Sequence, residues 1–101
     1  MAGDAGHITW DEVAGRAPGR HALFTFETTH DAVAAEAILN RLRLDPEEVP
    51  PPADVDPGCG IAVRIPLGKL YDAIGALATE EAPWEAVYEL GEHQEVVTRL
   101  G

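Results

Sequence analysis

The sequence is poor in cations and has a single cysteine. Its 101 residues include 7 lysines and arginines against 18 aspartates and glutamates, which gives a formal charge of −11. Because nucleic acids and anionic membranes are bound mainly through lysine and arginine, we expect neither as a partner. One cysteine cannot form an internal disulfide, which favours a reducing, cytoplasmic compartment. No apolar run approaches the roughly 20 residues that a membrane-spanning helix needs.

Metal ligands and nucleotide-binding motifs are scarce as well. A structural zinc site needs about four suitable ligands, and no two histidines stand at ligand spacing, so we expect no metal and no other cofactor. Gly58-x-Gly60 lacks the third glycine of a dinucleotide fingerprint and precedes a strand rather than a helix. The four scattered histidines are His7, His21, His30 and His93.

The composition is that of one globular domain. Hydrophobic residues make up 46% of the chain and charged residues 25%, which is ordinary for a domain of this size. We divide the chain into an N-terminal extension (residues 1–20), a folded domain (21–90) and a C-terminal tail (91–101). The Thr9-x-x-Glu12 spacing of a capping box predicts a short helix near Trp10. We expect at most a helical turn in the tail, through Val96 and Val97.

Hydrophobic periodicity predicts six elements within the folded domain. Alternating apolar residues predict strands over 21–27, 60–65 and 84–90, and prolines confine a further short strand over 47–50 to a sheet edge. Stripes at helical spacing predict helices from Thr28 or Thr29 to about Arg43, including Leu42, and over 67–78 after Pro66.

The order strand, helix, edge strand, strand, helix, strand is that of the split βαβ, or ferredoxin-like, unit. We therefore predict an α+β fold, with a four-stranded antiparallel sheet that carries both helices on one face. Alternation in the last strand predicts that Tyr88 and Leu90 face the helices and that Val87 faces away. The open sheet face is mixed in character, which leaves it available to solvent, to Trp10 or to a second subunit. We expect a weak homodimer.

Cys59 lies in a turn between two glycines. In the predicted topology this turn and the start of the first helix share one end of the sheet, so we expect Cys59 to lie near His30. Unpaired backbone N–H groups at a helix N-terminus favour a thiolate and lower its pKa. Acidic residues around the turn oppose this, so we expect only a modest fall. The residues expected to support the sulfur through their backbone are Thr28, Thr29, Gly58 and Gly60.

Each of these residues also has a purely structural interpretation. A free cysteine is often a small buried apolar residue. His30 is either a base or hydrogen-bond donor to the sulfur, or a solvated residue in a first helical turn, and Glu36 fits a solvated helix face. A protease-like Cys–His pair would need an orienting third group and an oxyanion site, and the sequence indicates neither.

Residues 23–90 resemble the selenium/sulfur carrier-like family of small bacterial domains. The resemblance implies that Cys59 carries sulfur or selenium as a persulfide or perselenide, between donor and acceptor proteins. It does not assign roles to His30 and Glu36, and the loop before Cys59 is more acidic here than in the family pattern. The matching motifs are Phe26-Glu27-Thr28-Thr29-His30-Asp31-Ala32, Ala35-Glu36, the proline-bearing loop, Cys59-Gly60-Ile61-Ala62-Val63 and a last strand ending Val87-Tyr88.

Three functional hypotheses follow. The first is the carrier, which needs an exposed thiolate and a docking face but no substrate pocket. The second is a non-catalytic regulatory or protein-interaction module, which a slowly reacting, buried thiol would favour. The third is a thiol enzyme that uses Cys59 and His30, and it lacks an evident pocket and third group. A carrier or binding protein is therefore favoured over an enzyme.

Overall fold

Five strands and two α-helices lie in the part of the chain that the computed structural model describes, residues 20–52, 55 and 60–101. A 3₁₀ turn, Leu67–Lys69, separates the third strand from the second helix. The predicted helix near Trp10 and the turn that contains Cys59 lie outside the described residues. The elements are β1 (His21–Thr25), α1 (Thr29–Arg41), β2 (Glu47–Val49), β3 (Ala62–Pro66), α2 (Leu70–Thr79), β4 (Ala86–Leu90) and β5 (Val96–Arg99).

The strands form one sheet in the order β2-β3-β1-β4-β5, and every neighbouring pair is antiparallel. The predicted α+β class, the antiparallel sheet and the two helices are confirmed. The sheet has five strands rather than the predicted four, because residues near the C-terminus pair with β4. The predicted helical turn at Val96 and Val97 is therefore wrong: both residues belong to β5.

Backbone hydrogen bonds to β4 continue beyond β5 to the two residues that follow it. The N–H groups of Leu100 and Gly101 both donate to the carbonyl of Val87, at 2.7 and 3.2 Å, and the Val87 N–H donates to the Gly101 carbonyl at 2.7 Å. The edge of β4 thus supplies partners for backbone groups that an isolated turn would leave to water. A bulge between Glu89 and Leu90 offsets the register of the pair.

Both helices pack on the same face of the sheet. Their fully buried residues join one cluster with the inward-facing residues of the three central strands, which include Phe24, Ile65 and Val87. Trp84 packs against this cluster. Its ring lies edge-on to that of Phe24, with ring centroids 5.8 Å apart. The helical members are Ala32, Ala35 and Leu39 of α1, and Leu70, Ala73 and Leu77 of α2.

The predicted facing of β4 is wrong. Val87 lies in the helix-side cluster, whereas Tyr88 and Leu90 belong to a smaller cluster on the opposite face. Pairing with β1 fixes this phase, because Phe24 lies opposite Val87 and Leu23 lies opposite Tyr88. Alternating positions in β4 are apolar on both faces, so composition alone did not decide between the two phases.

The face away from the helices is partly apolar. Leu23 and Ala62 are fully buried there and Leu90 almost so, with Val49, Tyr88 and Val96 packed around them. All five strands contribute to this second cluster, and β4 supplies two of its residues. Two of its members, Leu23 and Leu90, form the floor of a cavity on this face.

Candidate functional site

The first helix begins at a well-formed N-cap. Thr28 has extended backbone angles (φ −135°, ψ 155°), and its hydroxyl accepts a hydrogen bond from the Asp31 N–H at 3.1 Å. The cap satisfies one of the N–H groups that a helix start leaves without an intrahelical partner. Asp31 also places a negative charge in the first turn, where the helix dipole favours it. The predicted helix start is therefore confirmed in position and in chemistry.

The candidate residues at the start of α1 are accessible to solvent, and Glu36 lies apart from them. Thr28, Thr29 and His30 are all exposed, and Glu36 is half-buried two turns further along the helix. Within the described parts of the chain, neither His30 nor Glu36 has a hydrogen-bond or ion-pair partner. These residues thus remain candidates by position, with no contact that assigns a role.

Gly60, which follows Cys59 in the chain, has free space around it. Gly60 is exposed, and a methyl group added to it would meet no atom within 4 Å. It leads into β3, whose first residue, Ala62, pairs with Thr25 at the end of β1. The entry to β3 and the approach to α1 therefore lie at the same end of the sheet. Cys59 and Gly58 themselves lie outside the described residues.

A shallow cleft borders the entry to β3. It has a volume of about 290 Å³ and lies between the end of β2 and the start of β3. The cleft is open and mostly apolar, with one carboxylate at its rim. Its lining residues are Glu48, Val49, Pro50, Gly60 and Ile61.

A second feature, on the open sheet face, is a chain of polar contacts centred on Arg64. Its Nε donates to Glu47 Oε1 at 3.0 Å, its Nη2 also contacts that carboxylate oxygen, and its Nη1 donates to Gln94 Oε1 at 2.7 Å. The amide nitrogen of Gln94 in turn lies 3.3 Å from His21 Nδ1. Four side chains from β1, β2, β3 and the turn before β5 are thus joined.

The electrostatics of this network follow from burial and from Arg64. Burial, and then the positive charge of Arg64, hold the pKa of His21 below its usual value, whereas Glu47 acts weakly in the other direction. The hydrogen bond from Arg64 and its charge lower the pKa of Glu47. At neutral pH the network therefore contains a neutral histidine and an ion pair.

Sequence reasoning placed Arg64 on the open face but did not single it out. The available signal was a cation in the middle of a strand, between the buried Val63 and Ile65. Its partners come from distant parts of the chain, so no local motif could reveal them. Among the described residues, no group of three or more His, Cys, Asp or Glu side chains could hold a metal ion. No helix in the described ranges is long and apolar enough to cross a membrane.

Comparison with known proteins adds one finding. Residues 21–89 match the model of a protein family described as "Putative Se/S carrier protein-like". The match runs from the first residue of β1 almost to the end of β4 and includes α1, the proline-bearing loop and Cys59. No curated protein and no solved structure matches the chain significantly.

Proposed function

Because the chain belongs to the Se/S carrier protein-like family, we propose that it carries sulfur or selenium on the thiol of Cys59. The observation that carries this proposal is the extent of the family match, which covers both helices, the first three strands, most of β4 and the only cysteine of the chain. A carried chalcogen needs a nucleophilic side chain, and the sequence provides one thiol for this purpose. The family name alone does not specify which of the two elements is carried.

The proposed transfer is a pair of exchange reactions. The Cys59 thiolate attacks the terminal sulfur of a donor persulfide, a Cys59 S–S bond forms as the donor S–S bond breaks, and the donor leaves as a thiolate. An acceptor thiolate then attacks the terminal sulfur, and Cys59 is released as a thiolate. Each step exchanges one S–S bond for another and moves the sulfane sulfur without an external oxidant or reductant. Selenium would follow the same two displacements.

The position of α1 supports a role for its first turn. The chain enters β3 just after Cys59, and it leaves β1 just before the capped start of α1. Both points lie at the same end of the sheet, because Ala62 pairs with Thr25. We propose that the backbone of Thr28 and Thr29 stabilises the thiolate and that His30, which is exposed, donates to it or accepts its proton. Glu36 is half-buried further along the helix, and we propose for it only a docking role.

The transfer requires that donor and acceptor proteins reach Cys59. The open cleft beside Gly60 offers space for a donor or acceptor protein to approach. The order β2-β3-β1-β4 with antiparallel pairings supports a ferredoxin-like arrangement to which β5 is added. A cytoplasmic location is proposed because a persulfide carrier with one cysteine needs its thiol kept reduced.

Mass spectrometry of the intact protein tests the proposal directly. Protein isolated from cells without reductant, or treated with a polysulfide, is expected to carry an added sulfur or selenium mass that dithiothreitol removes. Cys59→Ser should carry none, and His30→Gln should still be loaded, but more slowly. Loading of Cys59→Ser to the wild-type level would refute the assignment of the thiol. A wild-type protein that never gains the mass from polysulfide would refute the carrier function.

A further inference from the structure

The sheet face away from the helices contains a second cavity, which shares Val49 and Pro50 with the cleft beside Gly60. Its volume is about 240 Å³. The floor is apolar and formed by Leu23 and Leu90, and Val49 and two prolines of the following loop, Pro50 and Pro52, form one wall. Arg64 and Gln94 complete the lining and are its polar members. The cavity thus combines an apolar floor with one guanidinium and one amide.

The guanidinium is held in place by two side chains from other parts of the chain. Arg64 projects from β3, which lies inside the sheet, and its side chain is only 22% exposed. Glu47 holds its Nε and Nη2, and Gln94 holds its Nη1. Gln94 has a φ of 66°, a left-handed conformation that is uncommon for a residue other than glycine. Backbone strain of this kind is often found where a side chain must be positioned for binding.

The guanidinium retains hydrogen-bonding capacity. It has five N–H donors, and three N–O contacts to it are formed by the described residues. Two donors therefore have no partner among the described residues. Two N–H groups are the number of donors that the two oxygens of one carboxylate can accept from.

We propose that this cavity binds a small monocarboxylate with a short apolar chain. The carboxylate accepts hydrogen bonds from the remaining N–H groups of Arg64, in the paired geometry that guanidinium and carboxylate favour. The apolar chain packs against Leu23 and Leu90, which are already buried, and this contact removes the surface of the ligand chain from water. The volume corresponds to about eight water molecules at ~30 Å³ each, enough for a branched acid of roughly six carbons.

Other ligand classes fit less well. A phosphate or sulfate would bring two charges to a single, already paired guanidinium, and an apolar floor cannot solvate them. A nucleotide would exceed the volume and would meet a chain with a net charge of −11. No step of chalcogen transfer involves this cavity, so the proposal stands or falls independently of Cys59.

A pair of isosteric probes tests the ligand class on the wild-type protein. We would titrate 4-methylpentanoate and its neutral analogue 4-methylpentanamide into ¹⁵N-labelled protein and follow the amide resonances. The carboxylate is expected to saturate with a dissociation constant of about 1 mM or tighter, with the largest shifts at Leu23, Val49, Leu90 and Gln94. The dissociation constant of the amide is expected to be at least about tenfold higher, because the amide lacks the charge-assisted hydrogen bonds.

Two variants then assign the preference to Arg64. Arg64→Gln should bind both probes equally and weakly, whereas Arg41→Gln, which removes a surface ion pair with Glu80, should behave as wild type. Equal binding of the two probes by wild type would overturn the proposal. So would saturable shifts confined to other residues, or an absence of saturable shifts with either probe. These comparisons on wild type remain decisive if Arg64→Gln fails to fold.

Discussion

Arg64 determines which way the Gln94 side chain faces, through a 2.7 Å hydrogen bond from its Nη1 to Gln94 Oε1. A guanidinium only donates, so the amide oxygen must face Arg64 and the amide nitrogen must face His21. That nitrogen also only donates, so Nδ1 of His21, 3.3 Å away, must accept. The neutral ring therefore has its proton on Nε2. Protonation of His21 would break this arrangement, in agreement with its lowered pKa.

We expect folding stability to decrease as the pH falls below the ordinary histidine pKa of 6.5. Since the pKa of His21 is lower in the folded protein than in the unfolded chain, the unfolded chain binds more protons in the interval between the two values. The contribution of His21 is complete above the unfolded pKa and is lost as the pH falls through the folded one. Urea midpoints at about pH 7.5 and about pH 5 measure the effect.

Variants identify the histidine responsible. His21→Gln keeps a side chain that can accept from Gln94 but does not titrate, so the difference between the two midpoints should shrink. His30→Gln, at an exposed position, serves as the control because it removes the same number of histidines. An equal reduction in both variants would show that His21 is not the source.

Core packing predicts opposite outcomes for two leucines at the C-terminal end of α1. Leu39 is fully buried, whereas Leu42, the C-cap residue, is 48% exposed. Leu39→Ala should lower the free energy of unfolding by about 2–5 kcal/mol, because it removes buried methyl groups and leaves a cavity. Leu42→Ala should change it by no more than about 0.5 kcal/mol. Urea denaturation measures both, and similar losses would contradict the assigned end of the helix.

The N-cap of α1 should contribute measurably to stability. Thr28→Ala removes the oxygen that accepts from Asp31 N–H and should lower the free energy of unfolding by about 1 kcal/mol. Thr29→Ala removes the same atoms from the first helical residue, where no capping bond is made, and alanine has the higher helix propensity. It should therefore cost nothing. A larger loss for Thr29→Ala than for Thr28→Ala would refute the capping role.

Two arginine–glutamate pairs should respond differently to the same change. Arg64 is 22% exposed and binds both Glu47 and Gln94, whereas Arg41 is 61% exposed and binds Glu80 alone. Arg64→Lys should lower the free energy of unfolding by about 1 kcal/mol, because an ammonium cannot reproduce the forked contacts. Arg41→Lys should cost at most about 0.5 kcal/mol. Equal effects would show that Arg64 is no more constrained than a surface residue.

The elements recovered from sequence are those with strong periodicity. The β1, β3, α1 and α2 segments were predicted within a few residues, and the prolines correctly confined β2 to an edge. Leu42 was assigned to the helical stripe because it continues the spacing of Leu39, yet the helix ends at Arg41 and leaves it exposed. The β5 strand was missed because its four residues are too few to show a periodicity, and because its stability comes from pairing with the edge of β4.

The candidate site also has one part that could be predicted from local sequence and one part that could not. The helix start at Thr28 is a local motif of side chain and backbone, so it could be predicted from adjacent residues. The network around Arg64 could not, because Glu47 and Gln94 lie 17 and 30 residues away from it in the chain. Only the pairing of strands brings them together. A lone arginine between apolar residues was the one local indication.

The central position of β1 in the sheet has a consequence for synthesis on the ribosome. β1 is the first strand of the sheet to be translated, yet one of its neighbours, β4, is among the last: Thr25 and Ala86, which are hydrogen-bonded, are 61 residues apart. A nascent chain can pair β1 with β3 first, and the other edge of β1 then has no partner until β4 emerges. Closing so long a loop is slow, and unpaired strand edges promote aggregation. The domain therefore cannot be completed until β4 has emerged, and it is most in need of chaperones just before β4 docks.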